Sequence, residues 1–261
     1  MRIAKNYCHV LWRVPVLVIW MIVMPIIFMI ARACRVPNHN VLPHVFHKGV
    51  RFILGLKVQF SGIVSNQQPT LYVSNHISYL DVFVLGDIKA FFIAKSEVAG
   101  WPILGHFSKY QNTIFIERKP SKARGSLKVL QQHIIEGNSL ILFPEGTSTD
   151  GVHVEPFKSS LFETVNIRDD SNQNIDIPIQ PITVAYTHQD GNKMNQQMLD
   201  HYAWYASMPF APHFFTLFVL KKVNVKVHFH PVCYLSSFES RKQCAEHCES
   251  IVSAKLDEFV R

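Results

Sequence analysis

The sequence predicts an α/β fold in which a mostly parallel sheet of about seven strands is flanked by helices, behind an N-terminal membrane-anchoring helical segment. Short β-rich runs recur at 56–61, 70–74, 90–94, 113–117, 139–143, 179–186 and 223–230. Helical patterns lie between several of these runs, and strands that alternate with helices favour a sheet covered on both faces. A long apolar stretch without charge precedes them all.

The N-terminal segment, residues 1–54, is expected to attach the protein to a membrane. Residues 14–31 contain no charge, and as a helix they extend about 27 Å, just short of the roughly 30 Å of hydrocarbon that a straight span needs. Pro15 and Pro25 lie inside this stretch, so a kinked, re-entrant or one-leaflet helix fits as well as a full span. A cleaved signal peptide and a buried core helix are the alternatives. An amphipathic piece at 44–54 is expected to lie on the membrane surface.

Two helices are the clearest elements of the remaining segment, 55–261, which is expected to form one domain. The stretch 121–136 combines a serine cap at its first residue, apolar residues on one face and Gly137 as the stop. The last helix is expected at about 237–260, after a capping-box pattern that begins at Ser236.

The composition and the distribution of charge argue against nucleic acid as a partner. Of the 261 residues, 48% are hydrophobic and 17% are charged, and the formal net charge is +7. Excess positive charge fits nucleic acid, anionic lipid or an anionic substrate. The basic residues form no long run and no zinc-finger or RNA-binding signature occurs, so nucleic acid is not expected as a partner. Five scattered cysteines fit a reducing cytoplasm better than a disulfide framework.

A histidine and a carboxylate five residues apart form the first candidate site. His76 and Asp81 follow the short apolar strand at 71–73. This arrangement suits a general base, because an imidazole takes a proton from a hydroxyl while the aspartate fixes its tautomer and stabilises the imidazolium. With 14 histidines in the chain such a pair also arises by chance, so its position at a strand exit is the stronger signal.

A second polar motif follows another strand. The run 139–143 continues into Pro144-Glu145-Gly146-Thr147-Ser148, where proline stops the strand and glycine allows a tight turn. The carboxyl ends of parallel strands gather at one edge of a sheet. We therefore expect this turn and His76 to share a cleft.

Taken in order, the two motifs resemble signature blocks of the glycerolipid acyltransferases, of which 1-acylglycerol-3-phosphate acyltransferase is the best-known member. The matching residues are Asn75-His76 with Asp81, and Phe143-Pro144-Glu145-Gly146-Thr147. Residues 114–118 resemble the family's arginine-bearing second block, and 177–182 its proline-and-aliphatic fourth block. The resemblance covers about residues 55–190, and four ordered blocks are far more specific than either motif alone.

The resemblance implies a membrane-bound O-acyltransferase. His76 would be the general base that deprotonates the acceptor hydroxyl, with Asp81 as its orienting partner. Arg118 and the turn Glu145-Gly146-Thr147 would hold the head group of a lysolipid acceptor. The donor would be the thioester of acyl-coenzyme A or acyl carrier protein, and neither a metal nor another cofactor is expected. Membrane lipids would supply the acceptor at the cytoplasmic face of the inner membrane.

One position departs from the family pattern. Phosphatidate-forming members usually carry an arginine after the threonine, associated with the acceptor phosphate, and here that residue is Ser148. A serine cannot supply a bidentate, permanently charged fork. Lys158 is a candidate replacement, in a stretch similar to bacterial lyso-ornithine lipid acyltransferases. The expected acceptor is 1-acylglycerol-3-phosphate, giving phosphatidate, by a small margin over lyso-ornithine lipid, giving ornithine lipid.

Two other functions compete with acyl transfer. A non-catalytic lipid-binding scaffold would keep the fold but would be free to lose His76 or Asp81. A thioesterase or lipid hydrolase would use His76 to activate water instead of an alcohol, in a site open to water.

Cysteines near the C-terminus have the residue types of metal ligands. Helical spacing places Cys244 and Cys248 on the apolar face of the last helix, with His247 beside them. A packed, reduced pair is therefore expected here, and no metal site is predicted.

Overall fold

The computed structural model describes residues 8–100, 113–117, 120–168 and 171–261. Its helices are α1 (Cys8–Ala33), α2 (Leu42–Leu54), α3 (Asp81–Val84), α4 (Ala123–Ile135), α5 (Gln196–Leu199), α6 (Phe210–Leu217) and α7 (Arg241–Val260). Its strands are β1 (Leu56–Gly62), β2 (Leu71–Ser74), β3 (Phe91–Lys95), β4 (Ile114–Ile116), β5 (Leu140–Leu142), β6 (Ile167–Arg168), β7 (Asn174–Ile175), β8 (Pro178–Gln189), β9 (Asn192–Lys193), β10 (Val223–Phe229) and β11 (Cys233–Tyr234).

The central sheet has the strand order β1-β10-β8-β2-β5-β3-β4, and β9 and β11 pair with β8. Neighbours from β8 to β4 are parallel, as are β1 and β10, whereas β10 and β8 are antiparallel. The prediction of an α/β fold with a mostly parallel sheet is confirmed, and each of the seven predicted runs overlaps a strand. The short strands β9 and β11 were not predicted, because two residues are too few to show a period.

Both faces of the sheet are buried. In β2, Tyr72 belongs to the apolar cluster that includes side chains of α2 and α3. Leu71 and Val73 point the other way, into a cluster that includes side chains of α4 and α7. Burial on both faces explains why this strand is apolar at successive positions instead of alternating.

Helix α1 is longer than the charge-free stretch from which it was predicted. Its 26 residues extend about 39 Å, and among the described helices it is the one long and apolar enough to cross a membrane. The buried positions recur at helical spacing on one face, and they are Arg13, Leu17, Met24, Phe28 and Ala31. The remaining surface exposes aliphatic side chains such as Leu11, Ile19, Ile22 and Ile30.

A buried arginine fixes α1 to the rest of the protein. Arg13 is 3% exposed, and its guanidinium donates hydrogen bonds to the backbone carbonyls of Leu217 and Leu220 at the end of α6. Further along α1, Nε1 of Trp20 donates to the carbonyl of Phe46 in α2 at 3.1 Å. The helix is therefore attached to the folded domain at several points along its length.

The structure corrects two predicted helix starts. The first expected cap, Ser121, lies inside a 3₁₀ turn, Pro120–Lys122, and α4 starts after it without a side-chain cap. The C-terminal helix starts at Arg241, because Leu235–Ser237 form a 3₁₀ turn. The extended Ser240 is its true N-cap, with its hydroxyl accepting from the backbone N–H of Gln243 at 3.2 Å.

Candidate active site

The loop after β2 is folded around the carboxylate of Asp81. Its Oδ2 accepts hydrogen bonds from the backbone N–H groups of Ile77 at 2.7 Å and Ser78 at 2.9 Å. The same oxygen lies 2.9 Å from Nδ1 of His76. Asp81 is fully buried, whereas 22% of the His76 side chain is exposed. Because an ionised carboxylate can only accept, Nδ1 carries the proton and Nε2 is the basic nitrogen.

Two side chains attach this loop to β8: Tyr186, which the sequence did not indicate, and Asn75, which belongs to the first motif but had no role assigned to it. The Tyr186 hydroxyl donates to Oδ1 of Asp81 at 2.9 Å, so each carboxylate oxygen has a donor. The Asn75 side chain makes two bonds to the backbone of Val184, donating at 2.9 Å and accepting at 2.8 Å. These partners are more than 100 residues apart in sequence, and no local pattern relates them.

The turn after β5 contacts His76 directly. The backbone N–H of His76 donates to Oε1 of Glu145 at 2.5 Å, and its carbonyl accepts from the backbone N–H of Thr149 at 2.9 Å. The imidazole stacks on the ring of Phe143, with centroids 4.1 Å apart. The expectation that the two motifs meet at one sheet edge is confirmed, because β2 and β5 are adjacent and parallel.

Glu145 is a buried carboxyl between two backbone donors. It is 2% exposed, and Oε2 accepts from the backbone N–H of Glu155 at 2.7 Å, while Oε1 faces His76. Burial raises the pKa of Glu145 to about 8, and these two N–H bonds oppose part of the rise. Both oxygens are therefore occupied by the protein's own backbone, and the carboxyl connects the two motifs.

A lysine covers the turn at Gly146. The φ angle of Gly146 is +74°, in the left-handed region that favours glycine. The Lys158 ammonium lies so close to this residue that an added Cβ would overlap it. The backbone N–H of Lys158 donates to the carbonyl of Pro144 at 3.0 Å, which fixes the lysine beside the turn. Thr147 and Lys158 are both exposed.

Ser148 has a structural partner. Its hydroxyl donates to the backbone carbonyl of Trp204, and the N–H of Trp204 donates to the carbonyl of Ile77 at 2.9 Å. The residue that replaces the family's usual arginine therefore helps to connect the turn, the His76 loop and the segment before α6.

An apolar cavity of about 370 Å³ opens next to this turn. Its apolar lining comes from both sheet and helix, and includes Ile93, Ile116, Leu127, Leu130, Leu142, Phe143 and Leu161. Its lining also includes Gly146 and four charged residues, Lys158, Arg124, Arg241 and Glu163, and the last two form an ion pair at 2.7 Å. Phe143 lines this cavity and also stacks on His76, so a single aromatic ring connects the cavity wall with the imidazole.

One predicted binding residue, Arg118, lies outside the described residues. The structure brings His76 and Asp81 together with Glu145, and it places Gly146 and Lys158 beside that group. Thr147 is at the surface of the turn, where its hydroxyl lies 3.5 Å from the carbonyl of Ser148.

Known proteins share both the sequence pattern and the fold. The family model named Acyltransferase matches residues 55–185. The lyso-ornithine lipid O-acyltransferase of Rhodobacter capsulatus is 37% identical over 213 residues, covering 80% of this chain and 73% of that protein. The 1-acyl-sn-glycerol-3-phosphate acyltransferase of Neisseria gonorrhoeae is 26% identical over 196 residues, covering 73% and 68% respectively.

A solved structure has the same architecture over nearly the whole length. The crystal structure of the 1-acyl-sn-glycerophosphate acyltransferase from Thermotoga maritima superposes with a TM-score of 0.69 at 18% identity, covering 97% of this chain and 95% of that one. At this identity the likeness establishes the fold. The family match and the 37% identical relative establish more, and they confirm the resemblance carried by the His76 and Glu145 motifs: this chain belongs to the acyltransferase family and is an acyl-transferring enzyme.

Proposed function

We propose that this protein transfers a fatty acyl group from a thioester, carried by coenzyme A or acyl carrier protein, to the free hydroxyl of a lysolipid at a membrane surface. The observation that carries this proposal is the position of His76. Its Nδ1 is held by the buried carboxylate of Asp81, and its ring stacks on Phe143, which lines an apolar cavity that Lys158 also lines. A base, an apolar cavity and a cation together suit an amphiphilic substrate, which has both an apolar chain and a polar head group.

The geometry supports a simple base-catalysed mechanism. Nε2 of His76 takes the proton of the acceptor hydroxyl as its oxygen attacks the thioester carbon, and Asp81 stabilises the imidazolium that forms. The tetrahedral intermediate then collapses with cleavage of the carbon–sulfur bond. The imidazolium returns the proton to the leaving thiolate, so the base is restored and an ester and a thiol are the products. We propose no metal or other cofactor for these steps.

Glu145 is proposed to position the base, a role different from the head-group contact that the resemblance implied. Its oxygens accept from the backbone N–H groups of His76 and Glu155, and the side chain is 2% exposed. Such a group fixes the loop geometry without meeting the substrate. Head-group contacts are assigned instead to Lys158 and Thr147, which are exposed at the same turn, with Arg118 retained as a candidate.

Lyso-ornithine lipid is the better supported acceptor. The relative with this printed activity is 37% identical over 80% of the chain, against 26% over 73% for the relative that uses 1-acylglycerol-3-phosphate. Ser148 supplies no charge and bonds to a backbone carbonyl. An ornithine head group carries one carboxylate besides its own side-chain ammonium, and one protein ammonium such as that of Lys158 can pair with that carboxylate, whereas a phosphate gains most from a bidentate guanidinium. 1-Acylglycerol-3-phosphate, which the sequence favoured by a small margin, becomes the second candidate, supported by the same lysine.

Side-by-side acyl transfer to the two acceptors tests the function and the acceptor together. Membranes containing the wild-type protein should transfer labelled acyl groups to lyso-ornithine lipid faster than to 1-acylglycerol-3-phosphate. His76→Ala should abolish transfer to both without loss of folded protein. Faster use of the phosphate acceptor would reverse the acceptor assignment, and undiminished transfer by His76→Ala would overturn the mechanism.

The same assay separates the competing functions. A hydrolase would release free fatty acid at the same rate with and without acceptor, and a scaffold would bind lipid without turnover. The proposed transferase should show acceptor-dependent thiol release, with free fatty acid as a minor product.

We also propose that α1 lies within one leaflet and does not cross the bilayer. One face packs on the domain from Arg13 to Ala31, so a span would carry that domain into the hydrocarbon. The exposed aliphatic face is instead suited to insertion along the membrane plane. Cys8 and Cys34 are exposed at the two ends of this region and serve as native labels. A membrane-impermeant maleimide should modify both from the cytoplasmic side of vesicles, whereas a spanning helix would place them on opposite sides.

A further inference from the structure

Three cysteine sulfurs converge at a site that the acyl-transfer chemistry does not use. Cys244 and Cys248 lie one turn apart on α7, and Cys233 approaches them from β11. All three sulfur atoms lie within 4.8 Å of one another, and those of Cys233 and Cys248 are 3.9 Å apart. The sequence indicated only the α7 pair, because Cys233 belongs to a different element.

The cluster lies near the strand ends opposite those that carry the active site. Cys233 pairs with Ile179 in β8, and Ile179 pairs with Leu71, the first residue of β2. His76 lies two residues after Ser74, the last residue of that same strand. The cysteine cluster is therefore separate from the acyl-transfer site.

The spacing of the sulfurs suits a shared ion. Three thiolates bound to one ion at about 2.3 Å lie about 4 Å apart when the ion is in their plane, close to the measured 3.9 Å. A disulfide requires a separation of about 2.05 Å. The sulfur atoms of Cys233 and Cys248 would have to move much further to form one than to bind a shared ion. Cys244 and Cys248 are fully buried and Cys233 is partly exposed, which leaves one side open for an ion to enter.

We propose that Cys233, Cys244 and Cys248 bind one thiophilic metal ion, Cu⁺ in trigonal coordination or Zn²⁺ with solvent as its fourth ligand. Thiolate sulfur is the ligand that these ions prefer. Each thiol loses its proton to solvent when it binds, so uptake is expected to be weaker at low pH. No oxidation or reduction of the protein is involved.

Such an ion would hold α7 against the sheet. The ligands on α7 are close to Glu249, whose Oε2 accepts from the backbone N–H of Phe157 at 3.0 Å, next to Lys158. Arg241, at the start of α7, pairs with Glu163 in the wall of the apolar cavity. The expected role is structural, with a higher thermal midpoint in the metal-bound protein.

The test uses the full chain in detergent, stripped of metal by a chelator under reducing conditions. It is then titrated separately with Zn²⁺, with Co²⁺ as the spectroscopic substitute for Zn²⁺, and with Cu⁺ stabilised by a competing ligand. One ion per chain is expected, with a thiolate-to-cobalt charge-transfer band for Co²⁺ and a raised thermal midpoint for whichever physiological ion binds. The Zn²⁺ and Cu⁺ titrations give the affinity of the site for each ion.

Two variants test whether the ion binds at the three clustered cysteines. Cys233→Ser changes the least buried ligand and should lower affinity by at least about 100-fold, since the loss of a ligand exceeds the effect of changes around it. The matched control is Cys34→Ser, an exposed cysteine that should bind as the wild type does. The wild-type spectrum alone keeps the proposal testable if Cys233→Ser fails to fold. A wild type without stoichiometric uptake, equal binding by Cys233→Ser, or a Cys233–Cys248 disulfide in place of uptake would overturn it.

Discussion

Replacing Asp81 by asparagine isolates the charge that the structure places beside the base. The carboxylate receives three donors on Oδ2 and one on Oδ1. An asparagine whose amide oxygen takes the Oδ2 position keeps the hydrogen bonds of the loop. Its NH₂ group then faces the Tyr186 hydroxyl, whose oxygen can accept a hydrogen bond from it. The loop should therefore stay folded, while the imidazolium of His76 loses its counter-ion.

The expected loss of activity follows from that geometry. With Nδ1 and Oδ2 2.9 Å apart, the two charge centres are roughly 4 Å apart, and their attraction is about 4 kcal/mol at an effective dielectric constant of 20. At about 1.4 kcal/mol per tenfold change in rate, this corresponds to about a 10³-fold lower kcat for Asp81→Asn. The estimate concerns the protonated imidazole, which exists only after His76 has acted as the base.

The assay is thiol release from an acyl thioester in the presence of lysolipid, measured with unfolding curves for each variant. Tyr186→Phe is the matched control, since it removes the donor on Oδ1 and leaves the bond to His76 intact. It should lower the free energy of unfolding by about 1–3 kcal/mol, while kcat should fall by less than about tenfold. Because the base and its partner act as a unit, Asp81→Asn added to His76→Ala should cause no further loss. Equal effects of Asp81→Asn and Tyr186→Phe on kcat would refute the reasoning.

Three further predictions concern the turn after β5. Burial raises the pKa of Glu145 to about 8, against an ordinary value of 4.5. Between these two values the folded protein binds more protons than the unfolded chain. Its free energy of unfolding therefore falls as pH rises from about 5 to 8. Urea unfolding at pH 5 to 8.5 should show that Glu145→Gln removes this slope, of up to about 1.4 kcal/mol per pH unit. Gly146→Ala should lower the free energy of unfolding by about 1–2 kcal/mol because of the positive φ angle at this position, which unfolding curves would show. It should also raise the KM for the lysolipid by displacing Lys158, which initial rates would show. Ser148→Arg should raise kcat/KM for 1-acylglycerol-3-phosphate relative to lyso-ornithine lipid, because a guanidinium binds phosphate in a bidentate manner; an unchanged ratio of the two rates would contradict the head-group assignment.

The parts of this fold that could be predicted are those with local causes. Strand runs, turn residues and the five-residue separation of His76 and Asp81 depend on neighbours in sequence, and all of them occur in the structure. The helix starts were wrong because a serine caps a helix only where its backbone is extended, and the competing 3₁₀ turns, Pro120–Lys122 and Leu235–Ser237, cannot be distinguished from helix by residue type.

The supports of the site could not be predicted, because they connect distant parts of the chain. Tyr186 is 105 residues from Asp81, and Asn75 is 109 residues from Val184. Arg13, which by its charge marked the edge of the membrane segment, turns inward to carbonyls more than 200 residues away. These contacts depend on strand order, and a single sequence contains no local signal for them.

The distribution of burial explains why the reaction is easier to infer than the acceptor. His76 and Asp81 are connected to β8 and to the next turn by hydrogen bonds made within a buried network, so a change there leaves a donor or acceptor unpaired at a cost of about 1–3 kcal/mol. Lys158 and Thr147 are exposed, and substitutions at exposed positions usually change stability by about 0.5 kcal/mol or less. Lys158 and Thr147, the proposed head-group contacts, can therefore vary with little effect on folding. Acceptor choice must accordingly be determined by comparing substrates, whereas the roles proposed for His76 and Asp81 rest on a geometry that the fold holds in place.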